Sequence, residues 1–346
     1  MVAALPFLHF HQKNFRILGP WDGSGLLLVY WAVVLALLLL GRLVWKSFAR
    51  AGLVVTPVVA VLAAGFTLGP WVSLLLLALS VALGFLLFRY GTVLEKLGQS
   101  VTLDVLVLVV FPTFQLVKER SAAAVPAPSS FFMKDADVPA QAGITPPDVY
   151  FLLVDGLGQP GFLEQHYRLP QHHLTAGLDR RGFQILNQAR ANYPQTALSA
   201  AATLNMATIP TLLDIHDPTS KDRRPLAHLI RHSRVGRTFR ELGYETVTYP
   251  SGYPLTRLAN VDHRHEPFLH PSFTSFYVLS DGFLPLIQPL LGKGPADLSF
   301  ALRRGRLNFI FNHLGNARSG VDPEMPVFVF AHILAPHPPF VFDLEG

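Results

Sequence analysis

The chain has 346 residues, 50% of them hydrophobic and 15% charged, with a formal net charge of +5 at pH 7. It contains no cysteine, which excludes a disulfide scaffold, a Cys-ligated zinc site and a thiol nucleophile. So apolar a composition predicts a membrane protein.

Met1–Trp21 carries His9, His11, Lys13 and Arg16 among aromatic residues. It reads as a short interfacial segment and not as a signal peptide, because no small-residue cleavage site follows it. Three uncharged apolar runs come next, Ser24–Gly41, Ala51–Leu68 and Trp71–Phe88. Each approaches the about 20 residues that a helix needs to cross a bilayer. Val101–Val117 holds Asp104, Pro112 and Gln115. It counts as a fourth span, because Asp104 can lie at the interface and proline is tolerated within membranes. Arg42, Lys46 and Arg50 follow the first run, and Arg89 and Lys96 follow the third. Placing these basic loops in the cytoplasm satisfies the positive-inside tendency. The expectation is a multi-pass cell-membrane protein whose region 1–120 holds the spans and whose C-terminal domain faces outside the cytoplasm.

Residues 121–147 are rich in proline, alanine and serine. They read as an extended linker that cannot build a core. The domain then opens with PPDVYFLLVDG. Val149–Val154 is an apolar run of strand length, and Asp155-Gly156 delivers a carboxylate at its C-terminal end beside a residue suited to a tight turn. Ligands bind at that edge of open α/β sheets. Further on, Asn192-Tyr193-Pro194-Gln195-Thr196 leads into the Ala-rich run 197–206. Proline followed by alanines predicts a helix with Thr196 in its first turn, where free N–H groups and the helix dipole favour an anion. Taken singly, an Asp-Gly after a strand is ordinarily a turn and a Thr at a helix start ordinarily a cap.

Further strands are expected at Phe183–Leu186, Tyr244–Tyr249 and Val327–Ile333, with a helix over Val235–Leu242 capped by Gly243. Strands alternating with helices predict an α/β sandwich around a largely parallel sheet. No Walker or G-x-G-x-x-G string occurs, so a nucleotide-binding P-loop is not expected. Lys221, Arg223, Arg224, Arg231, Arg234, Arg237 and Arg240 form a basic stretch, either a solvated helix face or a contact for anionic head groups. Without a reading motif, nucleic-acid binding is not expected. Asp262, His263, His265, Glu266 and His270 resemble a metal cluster by composition and read as a surface loop. Near the end, PVFVFAHILAPHPPF places His337 in a Pro-rich loop after a strand, with His332 inside the strand. A histidine in such a loop can ligate a metal or bond a phosphate, whereas one inside a strand is more often a satisfied core residue.

The pair PPDVYFLLVDG and NYPQT resembles the sulfatase-like branch of the alkaline phosphatase superfamily. Lipoteichoic acid synthases and phosphoethanolamine transferases are its membrane-anchored members. The resemblance covers Pro147 to the end of the chain and implies an alkaline-phosphatase-type α/β sandwich. It makes Asp155 a metal ligand and Thr196 both nucleophile and ligand of Zn²⁺ or Mn²⁺. It gives His337, followed closely by proline and phenylalanine, a place by the substrate phosphate or a second metal, and His332 a looser substrate-side role. The Cys/Ser-x-Pro-x-Arg string of true sulfatases is missing, so sulfate esters are not the expected substrates. The relatives also carry a later Asp-His-Gly string that completes the metal site. This sequence ends at Gly346 without one, and a truncated domain is the expectation. Two functions follow. One is a metal-dependent phosphoryl transferase or phosphodiester hydrolase acting on membrane-lipid or envelope phosphate esters. The other is a non-catalytic membrane scaffold.

Overall fold

The structure, a computed structural model, describes residues 24–48, 146–169, 172–213, 221–267 and 295–342, with isolated positions between 51 and 118. The chain divides into two units. One holds Met1–Val125, Gly252–Pro254 and Leu269–Leu302; the other holds Pro126–Ser251, Leu255–Phe268 and Arg303–Gly346.

The second unit is built on a four-stranded parallel sheet. Its strands are β1 (Val149–Val154), β2 (Glu245–Tyr249), β3 (His263–Arg264) and β4 (Val327–Ile333), in the spatial order β1-β4-β2-β3. β4 pairs with β1 from Val149↔Phe328 to Val154↔Ile333, and with β2 from Glu245↔Val327 to Tyr249↔Ala331. Covered on both faces, β4 is buried along its whole length, as its unbroken apolar run VFVFAHI requires. β1 has one sheet neighbour among the described residues and alternates in burial, leaving Tyr150 and Leu152 44% and 41% exposed.

The helices of this unit are α2 (Pro160–Tyr167), α3 (His172–Asp179), α4 (Thr196–Leu204), α5 (Ile209–Leu212), α6 (Arg224–Arg231), α7 (Arg234–Glu241) and α8 (Pro295–Leu314), the last belonging to it from Arg303 onward. Small side chains let α4 pack closely, and Ala197, Ala200, Ala201 and Ala202 are all buried. Asn205 closes this helix and is fully buried. Its amide donates to the Ala201 and Leu229 carbonyls at 2.8 and 3.1 Å and accepts from the Arg234 N–H at 2.8 Å, joining α4, α6 and α7. Phe239 of α7 stacks on Phe328 of β4 with ring centroids 4.4 Å apart. Tyr249 at the end of β2 donates to the His313 carbonyl of α8 at 2.8 Å. The basic stretch lies on α6 and α7, where Arg224 pairs with Asp222 at 2.5 Å and Arg237 donates to the His232 carbonyl.

Several expectations need correction. Phe183–Leu186 forms no strand: Gly182 turns the chain at φ 83, and Phe183 and Leu186 are left exposed. The expected surface loop at Asp262–Glu266 includes the edge strand β3, since His263 and Arg264 pair with Val247 and Thr248. His270 lies outside the described residues.

The larger correction concerns the four-span membrane region, the transmembrane character and the multi-pass location. Among the described residues no helix is long and apolar enough to cross a membrane. The first expected span falls within α1 (Ser24–Trp45). The helix stops where Lys46 turns left-handed at φ 55, and the Arg42 guanidinium then lies 4.4 Å over the Phe48 ring. The expected spans 51–68, 71–88 and 101–117 lie outside the described residues except at isolated positions, as do Met1–Trp21 and nearly all of the 121–147 linker. Hydropathy of the sequence therefore does not establish a spanning bundle.

Candidate functional site

The site gathers at the C-terminal edge of the sheet, where β1 and β4 release their loops. Leu153 stands opposite His332 in the ladder. Side chains two residues apart share a face of a strand, so Asp155, just past β1, stands on the face that His332 occupies. His332 Nε2 lies 3.3 Å from Asp155 Oδ2. The Thr196 hydroxyl donates to the same carboxylate, 3.1 Å from Oδ2 and 3.2 Å from Oδ1. Thr196 opens α4 after an extended Gln195 that makes no side-chain cap. The turn before it is held at two points. Ser199 donates to Asn192 Oδ1 at 3.1 Å, and the Ile209 N–H donates to the Tyr193 hydroxyl at 3.0 Å.

Behind the carboxylate, His332 is 0% exposed. Its Nδ1 lies 2.7 Å from the Ser251 hydroxyl and 2.6 Å from that of Thr256. A carboxylate only accepts hydrogen bonds, so Nε2 carries the hydrogen. With both ring nitrogens engaged, His332 supports Asp155 from the interior and does not reach toward a substrate.

His337 sits on the neighbouring loop. The β1–β4 ladder continues past both strands, with Asp155 N–H donating to Ile333 O at 2.9 Å and His337 N–H donating to Asp155 O at 3.0 Å. Gly156, at φ 82, makes this approach possible, because a Cβ there would stand 2.9 Å from His337 Cα. The His337 ring bonds the Pro338 carbonyl through Nδ1 at 2.6 Å, not Asp155 or Thr196. A carbonyl only accepts, so a neutral His337 leaves its lone pair on Nε2, the form suited to an electrophile. Arg303 of α8 fastens the loop, donating through Nη2 to Leu334 O at 2.8 Å and His337 O at 2.6 Å, and through Nη1 to Pro338 O at 3.2 Å.

Burial raises the pKa of the Asp155 carboxyl. The His332 hydrogen bond and charge, the Thr196 hydroxyl and the more distant His337 outweigh it and hold the group below its ordinary value. Burial lowers the pKa of Arg303, with the Asp155 charge acting the other way. Asp155 is therefore an anion at neutral pH, and a poor acceptor for the proton of a far less acidic hydroxyl.

Three contributors escape sequence reasoning. Ser251 and Thr256 lie after β2 without a motif, and Arg303 sits in a helix where it looks like any surface arginine. The other acidic and imidazole side chains make local bonds: Asp262 accepts from the Thr246 N–H at 2.8 Å, His263 pairs with Glu245 at 2.5 Å, and His265 stacks on Tyr249. Among the described residues no group of three or more His, Asp or Glu could hold a metal ion. A cavity of about 490 Å³ lined by Pro160, Glu164, Thr175, Asp179, Ile185 and Asn187 takes in none of Asp155, Thr196 and His332. The chain matches no family model, no curated protein and no solved structure.

Proposed function

We propose that this protein is a metal-dependent phosphoryl-group transferase or phosphodiester hydrolase of the sulfatase-like type, with Thr196 as nucleophile. The observation that carries the reading is the Thr196 hydroxyl at the start of α4, 3.1 and 3.2 Å from the two oxygens of Asp155. A carboxylate and a hydroxyl are oxygen donors of the kind Zn²⁺ or Mn²⁺ accepts, and here the two stand side by side at the sheet edge. Asp155 and Thr196 would hold Zn²⁺ or Mn²⁺, with His337 Nε2 on the adjacent loop as a further donor. When bound, the cation would lower the hydroxyl pKa and neutralise phosphate charge.

The chain's own residues do the rest. Asp155 stays ionised and keeps Thr196 oriented. The free N–H groups of the first turn of α4 receive phosphoryl oxygens. Thr196 Oγ1 bonds to phosphorus as the ester oxygen leaves with a proton, and water or an acceptor alcohol then displaces the threonine. Nothing in the described residues ties the donor to a lipid, so the substrate class is the phosphate ester.

Turnover of phosphate mono- and diesters by the purified full-length chain with added Mn²⁺ or Zn²⁺ tests the reading. Thr196→Ala and Asp155→Asn are expected to fall to background. Equal turnover in the wild type and both variants removes these residues from the reaction, and a wild type inert with every ester leaves a non-catalytic α/β domain.

A further inference from the structure

We infer that His332 is the positioning residue for Asp155: Ser251 and Thr256 fix its imidazole, and its Nε2–H holds the carboxylate where the Thr196 hydroxyl meets it. The consequence for turnover rests on the phosphoryl-transfer reading; the geometry does not.

β4 is otherwise an apolar strand, and an imidazole buried in it is costly unless its polar atoms are paired. An aliphatic side chain would fill the same space without that cost. His332 is instead paired on both sides, and the two sides differ. Nδ1 faces two hydroxyls of the post-β2 chain, 2.7 and 2.6 Å away. Nε2 faces the carboxylate that Thr196 also contacts. Because Asp155 accepts only, the hydrogen sits on Nε2 whether the ring is neutral or charged. That atom is therefore unavailable as a metal ligand or proton acceptor, and its work is to aim Asp155. A core histidine of purely structural value would show no dependence on which of its nitrogens is replaced, whereas this one is expected to depend on Nε2.

Imidazole ¹⁵N NMR of the histidine-labelled full chain reads the hydrogen directly. A proton on His332 Nε2, shifted by Asp155→Asn, is expected; a bare Nε2 with hydrogen on Nδ1 overturns the inference. The second measurement is Mn²⁺ affinity by calorimetry together with turnover of a phosphodiester. His332→Leu, which keeps the volume and removes both nitrogens, is expected to lose about 10–100-fold, the usual effect of removing a partner of a metal ligand. His332→Gln, whose amide nitrogen reaches the Nε2 position, should recover most of that loss. Equal losses in both variants overturn the inference. If His332→Leu fails to fold, the double variant Ser251→Ala/Thr256→Val keeps the imidazole and its Nε2–H but removes the hydroxyls that hold the ring at Nδ1, and is expected to weaken Mn²⁺ binding. A wild-type chain with neither Mn²⁺ binding nor turnover overturns the functional reading alone, and the NMR result then decides the role of His332.

Discussion

Two residues, Asn205 and Gly156, hold local order around α4 and the site loops. Truncating Asn205, itself fully buried, removes the acceptor of the part-buried Arg234 N–H and the amide that donates to the buried Leu229 carbonyl. An unpaired buried group costs about 1–3 kcal/mol, so Asn205→Ala is expected to destabilise by at least that much in denaturant unfolding. Gly156→Ala acts differently. A left-handed backbone costs an L-residue about 1–2 kcal/mol, and the added carbon also meets the backbone of His337 at 2.9 Å. Reduced stability and a displaced His337 loop, seen as faster exchange of the His337 amide, are the expected results. At this scale the sequence exposed the residues with a positional signature: Asp155 after an apolar run, Thr196 before alanines, His337 among prolines. Ser251, Thr256 and Arg303 had none, because their roles exist only once β2, β4 and α8 are packed together.

Among the elements, β1 and β4 are joined at their N-terminal ends by Asp148, which accepts from the Val327 N–H at 3.1 Å and from Arg318 at 2.6 Å. Burial raises the Asp148 pKa, but these bonds win and lower it below 3.8. A lowered carboxyl pKa means stabilisation that is full above about 3.8 and lost as pH falls through the folded-state value. The melting temperature of the wild type should therefore exceed that of Asp148→Asn at pH 5–6, with the gap closing toward pH 2. On α8, Arg303→Lys puts a compact ammonium where a planar fork serves three carbonyls. Faster exchange of the His337 amide, with the sheet unaffected, is expected. Val149–Val154 and Val327–Ile333 were legible as strands because a buried parallel strand is a short unbroken apolar run. Phe183–Leu186 has the same local character but no sheet partner among the described residues, and pairing is a tertiary fact that no window of sequence contains. Arg234–Glu241 lay within a residue of its expected limits, since Gly243 marks its end.

For the whole molecule, a cation that binds the folded chain alone stabilises it by about 2.7 kcal/mol at 100 times its Kd. Added Mn²⁺ or Zn²⁺ is expected to raise the melting temperature of the wild type and to leave Asp155→Asn unmoved; identical shifts in both would place the ion elsewhere. Composition was the poorest guide at this scale. It suggested a bundle of membrane spans, yet among the described residues no helix is long and apolar enough to cross a membrane. His332 and Asp155 meet because Leu153 pairs with His332 and not with a neighbour. Slipping β4 by a single position would turn the imidazole to the opposite side of the sheet. The contact between the imidazole and the carboxylate is thus tied to the alignment of β4 with β1, and a chain in which that register is lost does not hold it.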